Sequence, residues 1–155
     1  LATSNVTLVG MFYGAKRVDL IKITINYCLK VSIIISVIFG FIFFTMSQFM
    51  FPIFTNDINI INIGSGYFSI FAFAVPFIAI AMNCSRAMQG FGKAYPMFII
   101  TCLRVIIISC LLAYYFILIL NKPIEFAWVA ILISCILSAI ISFLWMRISI
   151  NKIEF

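Results

Sequence analysis

The sequence contains no histidine and only four acidic residues, and charged side chains fill 9% of its 155 positions. The acids are Asp19, Asp57, Glu125 and Glu154, and each lies outside the centre of an apolar run. Acid–base and metal-assisted catalysis draw on His, Asp and Glu gathered at one place. The sequence therefore gives no catalytic residue and no metal site, and an enzyme is not expected. A proton or sodium relay normally needs an intramembrane carboxylate or imidazole, and these residues offer neither. The five cysteines (Cys28, Cys84, Cys102, Cys110 and Cys135) include no CxxC pair and sit in or beside apolar runs. They read as small hydrophobes rather than as metal ligands or a disulfide framework.

What is present is hydrocarbon. Hydrophobic residues make up 66% of the chain and the mean hydropathy is +1.28. An ordinary soluble domain is about half apolar and a quarter charged. The lipid bilayer is the solvent that suits this composition, and the expected fold is an all-α integral membrane helix bundle. A β-barrel would need segments of about ten residues with alternating polarity, whereas these runs are twice as long and mostly unbroken. The net charge of +6 does not point to nucleic acid, because the cations sit at the ends of apolar runs instead of on one polar face.

Residues 1–13, LATSNVTLVGMFY, are apolar but too short to span. With no Met at the start and no basic leader, they read as the truncated end of a transmembrane helix in a fragment of a longer protein. Residues 14–27 form a basic connection in which apolar positions recur at helical spacing, so an interfacial helix is expected. Transmembrane spans are expected at 28–50, 60–88, 96–120 and 126–148, followed by a polar tail at 149–155. Pro52 with Asn56-Asp57 ends the first span, Gly90 and Gly92 end the second, and Asn121-Lys122-Pro123 ends the third. Pro96 suits the first turn of its helix.

Loop charges set the orientation. The 14–30 connection, the 86–95 loop and the tail together hold eight Lys and Arg, while the two opposite loops hold only Lys122. By the positive-inside rule the first set, including the C-terminus, faces the cytoplasm. The chain is thus expected to cross a membrane several times; the plasma membrane is the location that the family resemblance described below implies.

Three residues of the second span recur every seven positions: Ser69, Pro76 and Asn83, with Ser65 one turn earlier. Pro76 removes a backbone donor in mid-span, and an amide in hydrocarbon needs a partner. That face either lines a cavity or glues helices together. Arg104 lies about two turns inside the third span, roughly 12 Å from its start at about 1.5 Å per residue. A long side chain snorkels that far, so a membrane anchor is favoured over a gating charge. The GFGK sequence lacks the spacing of a phosphate-binding loop.

The order of motifs resembles a known family. LATSNVTLVGMFYGAKR (1–17) is similar to the "A…vvGQ.lGA…" segment of the multidrug and toxic compound extrusion (MATE) transporters, and FPIFTND (51–57) to the "lF..d" after their next helix. SRAMQGFGKAYPMFIITCLRV (85–105) resembles their "lqG.Gk...p......r" stretch, and AWVAILISCILSAIISFLWMR (127–147) their closing helix. The resemblance implies helices eight to twelve, part of the second six-helix lobe of a twelve-helix transporter. It implies export of amphipathic or cationic organic compounds by antiport with Na+ or H+, with the N-terminal lobe of the same protein as partner. Met11 replaces the usual glutamine. Some members carry a carboxylate in the tenth helix where this chain has only Asn83, which assigns the coupling ion to the missing lobe; no other cofactor is implied. A lipid-linked saccharide flippase of the same superfamily would show more cationic cavity residues. A scaffold or receptor module without transport would tolerate apolar replacement of Ser69, Pro76 and Asn83.

Overall fold

Four apolar runs become four helices long and apolar enough to cross a membrane, among the residues described. The computed structural model describes residues 2–121, 123 and 125–153. Lys122 of the third loop, Glu154 of the tail and Leu1 lie outside them. The elements are α1 (Ala2–Gly14), α2 (Val18–Met50), a 3-10 turn at Phe51–Ile53, α3 (Ile58–Gly90), α4 (Tyr95–Ile119) and α5 (Glu125–Asn151).

Local chemistry sets the helix ends. Asp57 caps α3, its Oδ1 accepting the Asn59 N–H at 2.9 Å, as expected of a short acidic N-cap. After Gly90, Gly92 adopts φ +77°, and the N–H groups of Gly92 and Lys93 return to the carbonyls of Gln89 and Met88. This is the left-handed closure that glycine permits without a Cβ penalty. Pro96 falls in the first turn of α4, where its missing N–H costs nothing.

One boundary differs from the sequence expectation. Residues 18–27 are not a separate interfacial helix; they continue without a break into the span as the first turns of α2. Their apolar face, Ile21 and Ile25, is buried in a cluster with Val9, Met88, Met146 and Ile150. A helix lying on the membrane and a helix packed on its neighbours share one periodicity. Neither proline nor glycine separates Tyr27 from Cys28, so nothing forces a joint. At 33 residues, α2 and α3 are each about 50 Å long at 1.5 Å per residue. That exceeds a hydrocarbon core of about 30 Å, so their ends extend into the interfacial layers.

α3 is the hub and packs against every other helix. Lipid tails are as apolar as leucine, so close backbone approach and hydrogen bonds hold membrane helices together. Accordingly α5 buries Ala130, Ser134, Ser138 and Ser142 at four-residue intervals. At Gly90 of α3 a Cβ would sit 2.7 Å from a methyl of Val9, so α1 also crosses on a glycine. α4 is the peripheral helix: of its residues only Pro96 and Ile100 are buried. It widens into π-helical turns over Leu103–Ser109 and again over Tyr115–Ile119. In the first of these, Ser109 Oγ lies 2.9 Å from the Arg104 carbonyl and 2.7 Å from Ser134 Oγ on α5. Ser134→Ala removes the interhelical bond and leaves the local one. The expected loss is about 0.6 kcal/mol, the usual value of such bonds in membranes, read as a small drop in the thermal midpoint in detergent. A loss above about 2 kcal/mol would instead make this contact a principal tie between α4 and α5.

Candidate functional site

Pro76 sits in the middle of α3. Having no N–H, it leaves the carbonyl of Ala72, one turn earlier, without its helical donor. Gly40 of α2 meets that carbonyl: a Cβ built on Gly40 would stand 2.8 Å from the Ala72 oxygen. The free carbonyl and the bare Cα therefore face each other, the geometry in which Cα–H···O contacts form between close helices. Proline and glycine, on different helices, together make a close backbone approach in the α2–α3 seam.

Beside this crossing a groove of about 430 Å³ is lined by Val37, Gly40, Phe41, Phe44, Ala72, Phe73, Pro76 and Phe77. Its walls are aromatic and aliphatic, and no charged residue lines it. Phe44 and Phe73 meet edge-on with centroids 5.8 Å apart. On other faces of the same two helices, with Ala2 of α1, lies a second, open cavity of about 360 Å³. Asn83, Ser32 and Ser36 line it, among apolar residues that include Phe39, Phe43 and Met82. The two hollows share no lining residue.

Asn83 is 3% exposed. Its Nδ2 donates to the Ala79 carbonyl at 2.9 Å, and its own backbone carbonyl accepts Asn5 Nδ2 from α1 at 3.3 Å. Both carboxamides spend their donors on backbone, so Asn83 Oδ1 and Asn5 Oδ1 are buried without a partner, as is Ser32 Oγ on α2. An unmatched buried polar group costs about 1–3 kcal/mol. Three unmatched buried oxygens thus lie on α1, α2 and α3.

The three residues of the seven-residue spacing are thus divided. Asn83 lines one cavity and Pro76 lines the other. Ser69 lines neither; it donates to the Ser65 carbonyl at 2.9 Å and lies 3.4 Å from Ser47 Oγ on α2. Its surroundings are those of interhelical glue. Arg104 is half-buried in the π-helical part of α4. It borders a separate crevice of about 20 Å³ with Ser85, Thr101 and Ser138. That crevice has room for about one water. Asn5, Ser32 and the groove phenylalanines escape the sequence reading. Asn5 carries the same signal as Asn83, an amide in an apolar helix, whereas single phenylalanines among eighteen carry none.

The MatE family model matches residues 1–115. The chain belongs to the MatE family. Solved structures with the same fold include an inward-facing conformation of a multidrug resistance MATE family transporter of the MOP superfamily, with a TM-score of 0.89 at 20% identity. That match covers 97% of this chain and 35% of the transporter. MATE in complex with MaL6 superposes with a TM-score of 0.89 at 21% identity, covering 97% of this chain and 34% of the other. The MATE transporter ClbM in complex with Rb+ gives 0.82 at 21% identity, covering 94% and 34%. The chain spans about a third of the length of these transporters, and at these identities the likeness concerns the fold. No curated protein matches the sequence. This MatE chain is a multi-pass membrane protein whose helices carry the two hollows described above.

Proposed function

We propose that these residues form part of the second lobe of a secondary transporter that exports amphipathic, cationic organic compounds by antiport with Na+ or H+. The supporting observation is the aromatic groove at the Pro76–Gly40 crossing in a MatE-family chain. Its volume of about 430 Å³ falls within the range of small-molecule sites. Phenylalanine faces attract organic cations while accepting their apolar bodies, and the second cavity brings Asn83, Ser32 and Ser36 to its wall. In this reading the two lobes rock about a shared cavity, and the C-terminus lies on the cytoplasmic side of the plasma membrane. The coupling ion binds outside these residues, since Asp19, Asp57 and Glu125 sit near helix ends rather than in mid-span. A saccharide-lipid flippase fits less well, because no Lys or Arg lines either hollow.

The test is dye export. The full-length protein, expressed in an efflux-deficient host, is expected to lower accumulation of cationic dyes only while an ion gradient is maintained. Equal accumulation with and without the gradient, across several dyes, would overturn the drug-export reading.

A further inference from the structure

At one end of the bundle α2 and α5 part to leave a pocket of about 130 Å³, lined by Lys22, Ile25, Asn26, Met146, Arg147, Ile150 and Asn151. It repeats one pattern on two helices. Lys22 and Asn26 stand one turn apart on α2, and Arg147 and Asn151 one turn apart on α5, so each helix offers a cation and a carboxamide on the same face. These four residues are exposed, and the floor beneath them, Ile25, Met146 and Ile150, is buried. The result is an apolar floor under a rim of donors.

Neither cation is spoken for by a carboxylate among the described residues. Asp19 is the acid nearest Lys22 in sequence, one turn before it at the exposed start of α2. Arg147 is held in place from the side, its Cζ lying 5.1 Å from the centre of the Phe143 ring. The pocket also lies at the right depth. Trp145, two residues from Arg147, pairs with Tyr95 at the start of α4, with centroids 6.0 Å apart, and Tyr27 projects outward at 68% exposure. Aromatic residues of this kind mark the headgroup layer. By loop charge this is the cytoplasmic end, the leaflet face where anionic lipids concentrate.

We propose that this pocket binds the phosphodiester headgroup of an anionic phospholipid. Lys22 and Arg147 would flank the phosphate, Asn26 and Asn151 would donate to its free oxygens or to the glycerol, and Ile25, Met146 and Ile150 would receive the first carbons of the lipid. A volume of about 130 Å³ suits a headgroup rather than a drug-sized molecule, whose sites start near 300 Å³. Basic pockets between membrane helices at the cytoplasmic side have this use in general. The site stands on the fold and the loop charges, and does not depend on what the protein exports.

The test uses full-length protein, delipidated in detergent and titrated with phosphatidylglycerol, phosphatidylcholine or inorganic phosphate, with bound lipid read by native mass spectrometry. Phosphatidylglycerol is expected to bind and phosphatidylcholine to bind far more weakly. Each cation in contact with the phosphate contributes about a fivefold gain in affinity, so Lys22→Gln loses about fivefold and the pair K22Q/R147Q about thirtyfold. The pair K22R/R147K keeps the charge and is expected to keep binding. The pair K16Q/K93Q removes as much charge from the same side outside the pocket, and is expected to bind phosphatidylglycerol like the parent. Parent-like binding by K22Q and K22Q/R147Q, or an equal loss in K16Q/K93Q, would overturn the site. Inorganic phosphate displacing the lipid at equal concentration would overturn the lipid assignment and make the pocket a free-phosphate site.

Discussion

Gly40→Val is expected to leave the full-length protein poorly folded, with a thermal midpoint in detergent far below that of the parent. The reason is the identity of the atom that a new side chain meets. A Cβ at residue 40 would stand 2.8 Å from the Ala72 carbonyl oxygen, and a backbone atom in mid-helix cannot rotate away as a side chain can. The helices must separate, and separation weakens the contacts along the same seam: Phe44 on Phe73, Phe43 on Phe68, and Ser47 against Ser69. Overpacking of this kind costs about 1–3 kcal/mol for small insertions, and valine adds two branched methyl groups beyond the first carbon. Alanine is a milder probe, because it recovers up to about 1 kcal/mol of helix propensity relative to glycine. Gly14→Ala is the control, since nothing lies within 4 Å of a Cβ there; it is expected to leave the midpoint unchanged or slightly raised. A Gly40→Val protein melting with the parent would show that the two helices do not meet at this point.

The spans are legible in the sequence because a bilayer imposes length and apolarity on every crossing helix, and the two ends of α3 because Asp57 and Gly92 are specific in what they do to a backbone. Pro76 is equally visible, but its consequence is not. The carbonyl it frees is met by a glycine 32 positions earlier in the chain, and helix crossings are set by tertiary packing rather than by spacing. The same gap separates Asn83 from Asn5, which are 78 residues apart. Grouping Ser69, Pro76 and Asn83 on one face holds as a helical statement but not as a statement about one cavity. Heptad positions drift by about 20° per repeat, and the α2 seam divides that face, sending Ser69 into a contact and the other two to different hollows. The π-helical turns around Arg104 have no sequence mark, since LRVIIIS contains neither proline nor glycine.

Asn83→Leu is expected to separate stability from transport. The bond from Asn5 Nδ2 ends on the backbone carbonyl of residue 83, so it survives the change. What disappears is a donor to Ala79, whose carbonyl is still served by the helix, and the Oδ1 that has no partner. Leucine branches at the same carbon and its extra volume can extend into the open cavity that residue 83 lines. Removing an unmatched buried acceptor is worth about 1 kcal/mol or more, so the thermal midpoint is expected to hold or rise. Transport should move the other way. If Asn83, which lines the cavity, turns its Oδ1 to the ammonium group of a substrate, deleting it removes a charge-assisted bond of about 1.5–3 kcal/mol. That corresponds to roughly a ten- to hundredfold loss of affinity for the dyes that use it. Dyes bound mainly by the phenylalanine groove would be less affected, so the profile across dyes should change rather than decline uniformly. Cys102→Ser, on the peripheral helix, should alter neither stability nor profile. A lower midpoint in Asn83→Leu with an unchanged dye profile would assign the amide to helix packing. A held midpoint with a redistributed profile would identify an unmatched oxygen that the fold retains, at a cost to its own stability, for contact with substrate.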